Sequence, residues 1–298
     1  MKQRVVVVGA SGFLGGAIVA ALRVTGANVV GASRRAAPAV DTVLPAGRAF
    51  VEALTALLGA SDVVVNAAGV AIKDAASELA LMRDNLAATR SVSEACLRSG
   101  ARLLHLSSAD IWPVGERAGA NEEQPALPDT AYGMSKLVAE LQLAAARGLA
   151  HLVLRPSYVY GPSMFEGRVF HAVVAQARGG TVLLRGDPEA ATDYLHVDDL
   201  TAAVRALIAV EPRAAWDGRA FHVASGALTT LEELARALIA AVAEHCGTTP
   251  ATLRIDAQAP AARQAGPISI ERLRALGFSP TTSLASGCAA FVRATVPQ

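Results

Sequence analysis

The chain has 298 residues, with 27 basic and 26 acidic side chains and a net charge of +1. Such a balance offers no basic face for nucleic acid or for an anionic membrane. Hydrophobic residues make up 52% of the chain and mean hydropathy is +0.37, yet the apolar runs are short and none reaches the ~20 residues of a membrane span.

In chain order, Met1-Lys-Gln-Arg4 leads straight into Val5–Val8 and a glycine turn. That turn comes too soon for a signal peptide, so Arg4–Val8 is expected as a buried parallel strand. Phe13–Thr25 has a helical pattern, Ala27–Ala32 reads as a strand, and Ala39–Leu44 shows a fainter strand pattern. Helices are then expected at Arg48–Leu58, Ser77–Ser99 and Ala131–Arg147, alternating with strands at Asp62–Asn66, Ala101–Leu106 and His151–Arg155. This alternation predicts an α/β fold, a doubly wound parallel sheet with helices on both faces. Beyond Arg155 the pattern is less regular. Helices are expected at Phe165–Arg178, Val197–Val210, Leu228–Glu244, Ile268–Leu276 and Ser283–Val296, and strands at Thr181–Leu184, Arg219–Val223 and Thr252–Asp256. Cys96, Cys246 and Cys288 are widely spaced and include no CxxC pair. Neither a zinc site nor a disulfide framework is indicated, and a reducing cytoplasm is expected.

In open parallel sheets, ligands bind beyond the carboxyl ends of the strands, and the distinctive residues fall there. Gly9-Ala-Ser11-Gly12-Phe13-Leu14-Gly15 follows the first strand and opens a helix. Its glycines permit a tight turn and let a pyrophosphate approach the helix N-terminus, where free N–H groups and the helix dipole favour an anion. The second strand ends at Ser33-Arg34-Arg35. An acidic residue there would bind the ribose diol of NAD, whereas an arginine pair suits the 2′-phosphate of NADP. NADP is therefore the expected cofactor, with NAD as the alternative.

Tyr132-Gly-Met-Ser-Lys136 lies on a predicted helix, which puts Tyr132 and Lys136 on one face. The ammonium is expected to lower the phenol's pKa, making it a usable acid or base. Ser107-Ser108 ends another strand, and the Ser108 hydroxyl is positioned to bond a substrate carbonyl oxygen beside Tyr132.

These motifs, together with Asp62-Val-Val-Val-Asn-Ala67-Ala68-Gly69, Asn85, Leu154-Arg-Pro156-Ser157-Tyr158-Val-Tyr-Gly161-Pro162, Asp193-Tyr-Leu-His-Val-Asp-Asp199 and Leu276-Gly-Phe-Ser-Pro280, resemble the extended short-chain dehydrogenase/reductase family in the same order. The resemblance implies a Rossmann-type domain over 1–155, to which 188–225 return. A smaller mixed α/β substrate lid would be formed by 156–187 and 226–298. Tyr132 would be the acid/base, Lys136 would grip the nicotinamide ribose and tune Tyr132, and Ser108 would polarise the substrate oxygen. Ser11, Phe13, Leu14, Ala67, Ala68, Gly69, Asn85, Ser107, Pro156 and Ser157 would lie along the cofactor. Ala109, Asp110, Tyr158 and Arg263, with Ser108, would meet the substrate, usually a nucleotide sugar. The predicted helices Ser77–Ser99 and Ala131–Arg147 resemble a pair that joins relatives into dimers, so a homodimer is expected.

Departures from the family pattern narrow the reading. Ala109 stands where sugar-nucleotide 4,6-dehydratases carry the Asp that protonates the leaving hydroxyl, and Asp110 stands at their Glu. Dehydration is therefore disfavoured. Tyr158 replaces a common Asn, and Thr192 a common Arg that holds the diphosphate. Segments such as Phe221-His-Val-Ala-Ser-Gly226 resemble dTDP-4-dehydrorhamnose reductases and related 4-ketoreductases. The expected reaction is NADPH-dependent reduction of a ketone, with a nucleotide-linked 4-keto-6-deoxyhexose as substrate. One alternative is an NAD-dependent nucleotide-sugar epimerase working through a transient ketone. Another is a non-catalytic dinucleotide-binding regulatory subunit, against which the complete Ser108, Tyr132 and Lys136 set argues.

Other polar residues are read as structural. Asp198-Asp199 opens a helix, where carboxylates are favourable without a metal, and no metal is expected. His105, His196 and His222 read as core or scaffold. His171 lies near the lid, and Trp112 fits either the pocket wall or the core.

Overall fold

A strand covered on both faces has no need of a polar side, and Val5, Val6, Val7 and Val8 are all buried. They form β1 (Arg4–Val8), an interior strand of the sheet in a computed structural model that describes residues 3–70, 75–113, 115, 117, 119–256 and 267–297. The first half continues with α1 (Phe13–Val24), β2 (Asn28–Ser33), β3 (Thr42–Val43), α2 (Arg48–Leu57), β4 (Val63–Asn66), α3 (Glu78–Ser99), β5 (Arg102–Leu106), α4 (Ala131–Ala145) and β6 (His151–Pro156). Then come β7 (Tyr158–Tyr160), α5 (Val169–Arg178), β8 (Thr181–Arg185), β9 (Ala191–Thr192), β10 (Tyr194–His196), α6 (Val197–Ile208) and β11 (Asp217–Val223). The chain ends with β12 (Thr229–Thr230), α7 (Leu231–Cys246), β13 (Thr252–Asp256), α8 (Glu271–Arg274) and α9 (Leu284–Thr295).

Seven strands form one parallel sheet in the order β11-β6-β5-β4-β1-β2-β3. The winding reverses between β1 and β4, which opens a crevice at their carboxyl ends. One face packs on Ile18 and Leu22 of α1 and on Leu200, Val204 and Leu207 of α6. The other packs on Leu54 of α2, Val92 and Cys96 of α3, and Leu143 of α4. A second, smaller core joins α5, α7 and α9 to the β8–β13 pair through Phe170, Leu234, Leu238, Phe291 and Val182.

Two buried carboxylates tie this second unit to the sheet. Asp193 accepts from the Ser225 N–H (2.7 Å), the Ser225 hydroxyl (2.8 Å) and the Gly226 N–H (3.0 Å). Asp199 accepts from the N–H groups of Thr281 (2.8 Å) and Thr282 (3.1 Å), so it anchors the approach to α9. Among the described residues no group of His, Cys, Asp or Glu could hold a metal, and no helix is long and apolar enough to cross a membrane.

Four segments differ from their sequence expectation; one is the helix expected over Leu228–Glu244, which runs over Leu231–Cys246 because Thr229–Thr230 pair as β12. Ala39–Leu44 pairs only over Thr42–Val43, because Asp41 turns its carboxylate back to accept the Gly31 N–H at 2.7 Å. The helix expected from Phe165 starts at Val169, and that expected over Ile268–Leu276 is confined to Glu271–Arg274. The short pairs β7–β10 and β9–β12 were not anticipated, since two or three residues are too few for a period to register.

Candidate active site

The crevice begins at the glycine turn. Gly9 has φ +91°, and a Cβ there would lie 2.6 Å from the Ala67 carbonyl carbon; one on Gly15 would lie 2.2 Å from the Gly9 oxygen. The turn therefore tolerates only glycine at these two positions. Gly12 ends it as the N-cap of α1, and no side chain caps that helix. Its first N–H groups stay available for an anion, as a dinucleotide pyrophosphate requires. Ser11 and Ser33 bond each other through their hydroxyls at 2.7 Å, closing the turn over the end of β2.

Tyr132 and Ser108 are brought together by another close approach. A short 3₁₀ turn, Ala109–Ile111, follows β5, and a Cβ on Gly133 would stand 2.0 Å from the Asp110 carbonyl oxygen. A glycine after Tyr132 lets the first turn of α4 press on that loop. Thr130 caps α4 by accepting the Gly133 N–H at 3.0 Å. Ser108 accepts the Asp110 N–H (3.1 Å) and donates to the Asp110 carboxylate (3.2 Å), while Arg117 holds the other carboxylate oxygen at 2.5 Å.

The expected lowering of the Tyr132 pKa by Lys136 is not what the surroundings produce. Burial pushes the phenol well above its ordinary value, and the Asp110 carboxylate pushes the same way. The Arg168 guanidinium, and the Ser108 hydroxyl bonded to the phenol oxygen, oppose them without prevailing. Tyr132 is thus held as a phenol. Burial pushes Lys136 down to about 8, against the pull of Glu140 and Asp110. Its ammonium lies 5.7 Å from the centre of the Tyr132 ring and donates to the Leu106 carbonyl at 3.0 Å.

Beneath this pair lies a buried polar network. Ser107 donates to Glu140, which forms an ion pair with Arg155 at 2.6 Å. The Arg155 guanidinium stacks 5.1 Å from the Trp112 ring centre, and Trp112 meets His222 edge-on at 5.0 Å. Trp112 is therefore core. Asn85 accepts the Val70 N–H at 2.7 Å and donates to Ser135 at 3.1 Å, fixing the loop after β4 to α4. Ser157 donates to Asp193 at 3.3 Å. The Ala109 methyl is buried in the main core, so it offers no side-chain surface to a substrate, contrary to expectation. Arg263 lies outside the described residues.

At the far end of the crevice, Ala68, Gly69 and Val70 share a cavity of about 720 Å³ with Arg34 and with residues of α2 and α3. Arg35 is exposed and does not line it. Arg168, which precedes α5, went unnoticed in the sequence because no motif marks it. Its guanidinium lies 5.4 Å from the ring centre of Tyr158 and 4.7 Å from that of Phe165. His171 packs edge-on against Phe291 at 5.0 Å, in the second core. His196 turns its Nδ1 to the Asp198 N–H at 3.3 Å.

Residues 5–224 match the family model described as the NAD dependent epimerase/dehydratase family. The chain is 30% identical over 217 residues to a dTDP-glucose 4,6-dehydratase of Streptomyces griseus, covering 71% of this chain and 64% of that protein. It is 30% identical over 263 residues to a dTDP-4-dehydrorhamnose reductase of Mycobacterium tuberculosis (strain CDC 1551 / Oshkosh), covering 85% and 79%. The chain spans roughly half to two thirds of the length of the first curated relatives it matches. Among solved structures, MoeE5 in complex with UDP-glucose and NAD superposes with a TM-score of 0.78 at 26% identity, over 98% of both chains.

Proposed function

The chain belongs to the NAD dependent epimerase/dehydratase family, among the extended short-chain dehydrogenases/reductases, and on that premise we propose that it reduces a ketone with NADPH. The observation that carries this reading is the gathering of Ser108, Tyr132 and Lys136 at the carboxyl end of β5, with the Lys136 ammonium bonded to the Leu106 carbonyl. Tyr132 carries a proton beside the crevice and would donate it to an oxygen acquiring negative charge, even though burial and the Asp110 carboxylate hold that proton more tightly than in a free phenol. NADPH, when bound, supplies the hydride that reaches the carbonyl carbon. Ser108 would orient the carbonyl oxygen through its hydroxyl after turning it away from the Asp110 carboxylate. The Lys136 ammonium, 5.7 Å from the phenol ring centre, eases the charge left on Tyr132 after donation. Dehydration is disfavoured because Ala109 supplies no acid and Asp110 is committed to Arg117.

Gly9, Gly12 and Gly15 would hold the pyrophosphate, and Asn85 would steady the loop beside the nicotinamide half. Preference for NADPH is supported by Arg34 in the wall of the cavity beside Gly69 and by Ser33 in place of a carboxylate at the end of β2. The substrate is proposed to be a nucleotide-linked 4-keto-6-deoxyhexose, by analogy with the dTDP-4-dehydrorhamnose reductase. Tyr158 and Arg168 would form its wall. Exposed Leu79 on α3 and Leu141 on α4 support a homodimer through these two helices, and three free thiols suit a reducing cytoplasm.

Full-length similarity to a structure holding UDP-glucose and NAD favours a second reading, epimerisation through a transient ketone. Stoichiometry separates the two. We expect NADPH to be consumed one for one with a 4-keto nucleotide sugar, and Tyr132→Phe to abolish this while NADPH binding stays within roughly twofold of wild type. Tightly bound NAD with interconversion of C4 epimers and no NADPH oxidation would establish the epimerase instead. Unchanged turnover in Tyr132→Phe would remove the mechanism.

A further inference from the structure

The cavity of about 720 Å³ beside Ala68 and Gly69 is lined in part by arginines from three elements. Arg34 follows β2, Arg48 opens α2, and Arg90 lies on α3; Arg98 is further along α3. Glu52, Asp84 and Glu94 share the wall. Two of these carboxylates are already neutralised by neighbours on their own helix: Asp84 pairs with Arg83 at 2.8 Å, and Glu94 pairs with Arg98. Among the described residues Arg34, Arg48 and Arg90 form no ion pair, although Arg34 lies near enough to Asp84 to act on its carboxylate. Three arginines lining one cavity offer positive charge and N–H donors to an anion that enters it.

The chemistry of that anion follows from its place. The cavity adjoins the loop after β4 and the end of β2, where the adenosine half of a dinucleotide belongs in a doubly wound sheet. A phosphate monoester carries about −1.5 to −2 charges near neutral pH, more than one guanidinium offsets. Arginine forks suit its oxygens, which accept paired N–H donors. Arg35, next to Arg34 in sequence, takes no part in the wall.

We infer that the 2′-phosphate of the cofactor is held by Arg34, Arg48 and Arg90 acting together, rather than by the adjacent pair Arg34-Arg35. This rests on the reading of the site as an NADP site.

Calorimetric titration with 2′,5′-ADP and with ADP tests it without turnover. The wild type should bind 2′,5′-ADP roughly tenfold or more tightly than ADP. Arg48→Gln and Arg90→Gln should each weaken 2′,5′-ADP by roughly fivefold or more and ADP by less than about twofold. Arg35→Gln should change neither. All three arginines are exposed, and unchanged melting temperatures would confirm that the variants are folded. If Arg34→Gln alone loses the selectivity while Arg48→Gln and Arg90→Gln keep it, the three-arginine site is wrong and the NADP reading stands. If the wild type does not distinguish the two ligands, the NADP reading itself falls, and the three-arginine site with it.

Discussion

Lys136→Met isolates the buried ammonium beside Tyr132. Lys136 is 8% exposed, and burial pushes its pKa from 10.5 down to about 8. The folded chain therefore releases this proton at a lower pH than the unfolded chain does. Between the two values the unfolded chain binds more protons, so the wild type gains stability as pH rises. Linkage over pH 8 to pH 10 for such a group amounts to about 2 kcal/mol. Methionine fills similar volume and does not titrate. Urea unfolding of both proteins at unit steps from pH 7 to 10 gives the stability difference directly. It should move by about 2 kcal/mol in favour of the wild type between pH 8 and 10. Measurement stops there because Tyr132, raised by burial, begins to contribute with the opposite sign near pH 10. A difference that stays flat across the window would show that Lys136 keeps an ordinary pKa, and would refute the account of a desolvated ammonium.

Other perturbations probe separate parts of the site. Asp110→Asn removes a carboxylate that opposes Tyr132 ionisation; the tyrosinate absorbance near 295 nm that depends on Tyr132 should emerge at lower pH, with Tyr132→Phe as the reference. Glu140→Ala leaves the buried Arg155 guanidinium without its carboxylate and should cost roughly 3–5 kcal/mol in urea unfolding. A loss below about 1 kcal/mol would mean that the pair is solvated. Gly15→Ala sets a methyl 2.2 Å from the Gly9 oxygen, so the turn must open. NADPH binding, followed by fluorescence, should be lost, with roughly 1–3 kcal/mol of stability.

What could be read from the sequence follows the reach of local geometry. The glycine turn and the Tyr132–Lys136 pair each lie within one strand–turn–helix or one helix, so fixed spacing was enough to locate them. The parallel sheet was legible because its buried strands are continuous apolar runs. Tyr132's proton affinity was not legible, because it depends on groups converging from separate elements. Asp110 comes from the turn after β5 and Arg168 from the segment before α5, and burial acts with Asp110 to outweigh Arg168. Chain adjacency misled at Ala109, which turns into the core beside two residues that face the crevice, and at Arg35, which faces solvent beside Arg34. The electrostatic consequence bears on the reaction. Burial raises the proton affinity of Tyr132, so the phenol is a usable donor only toward an oxygen that is itself gaining negative charge, which is what the proposed reduction supplies. The proposed proton donation by Tyr132 and the proposed NADPH preference at the end of β2 rest on different segments of the chain, and each can fail on its own in the measurements above.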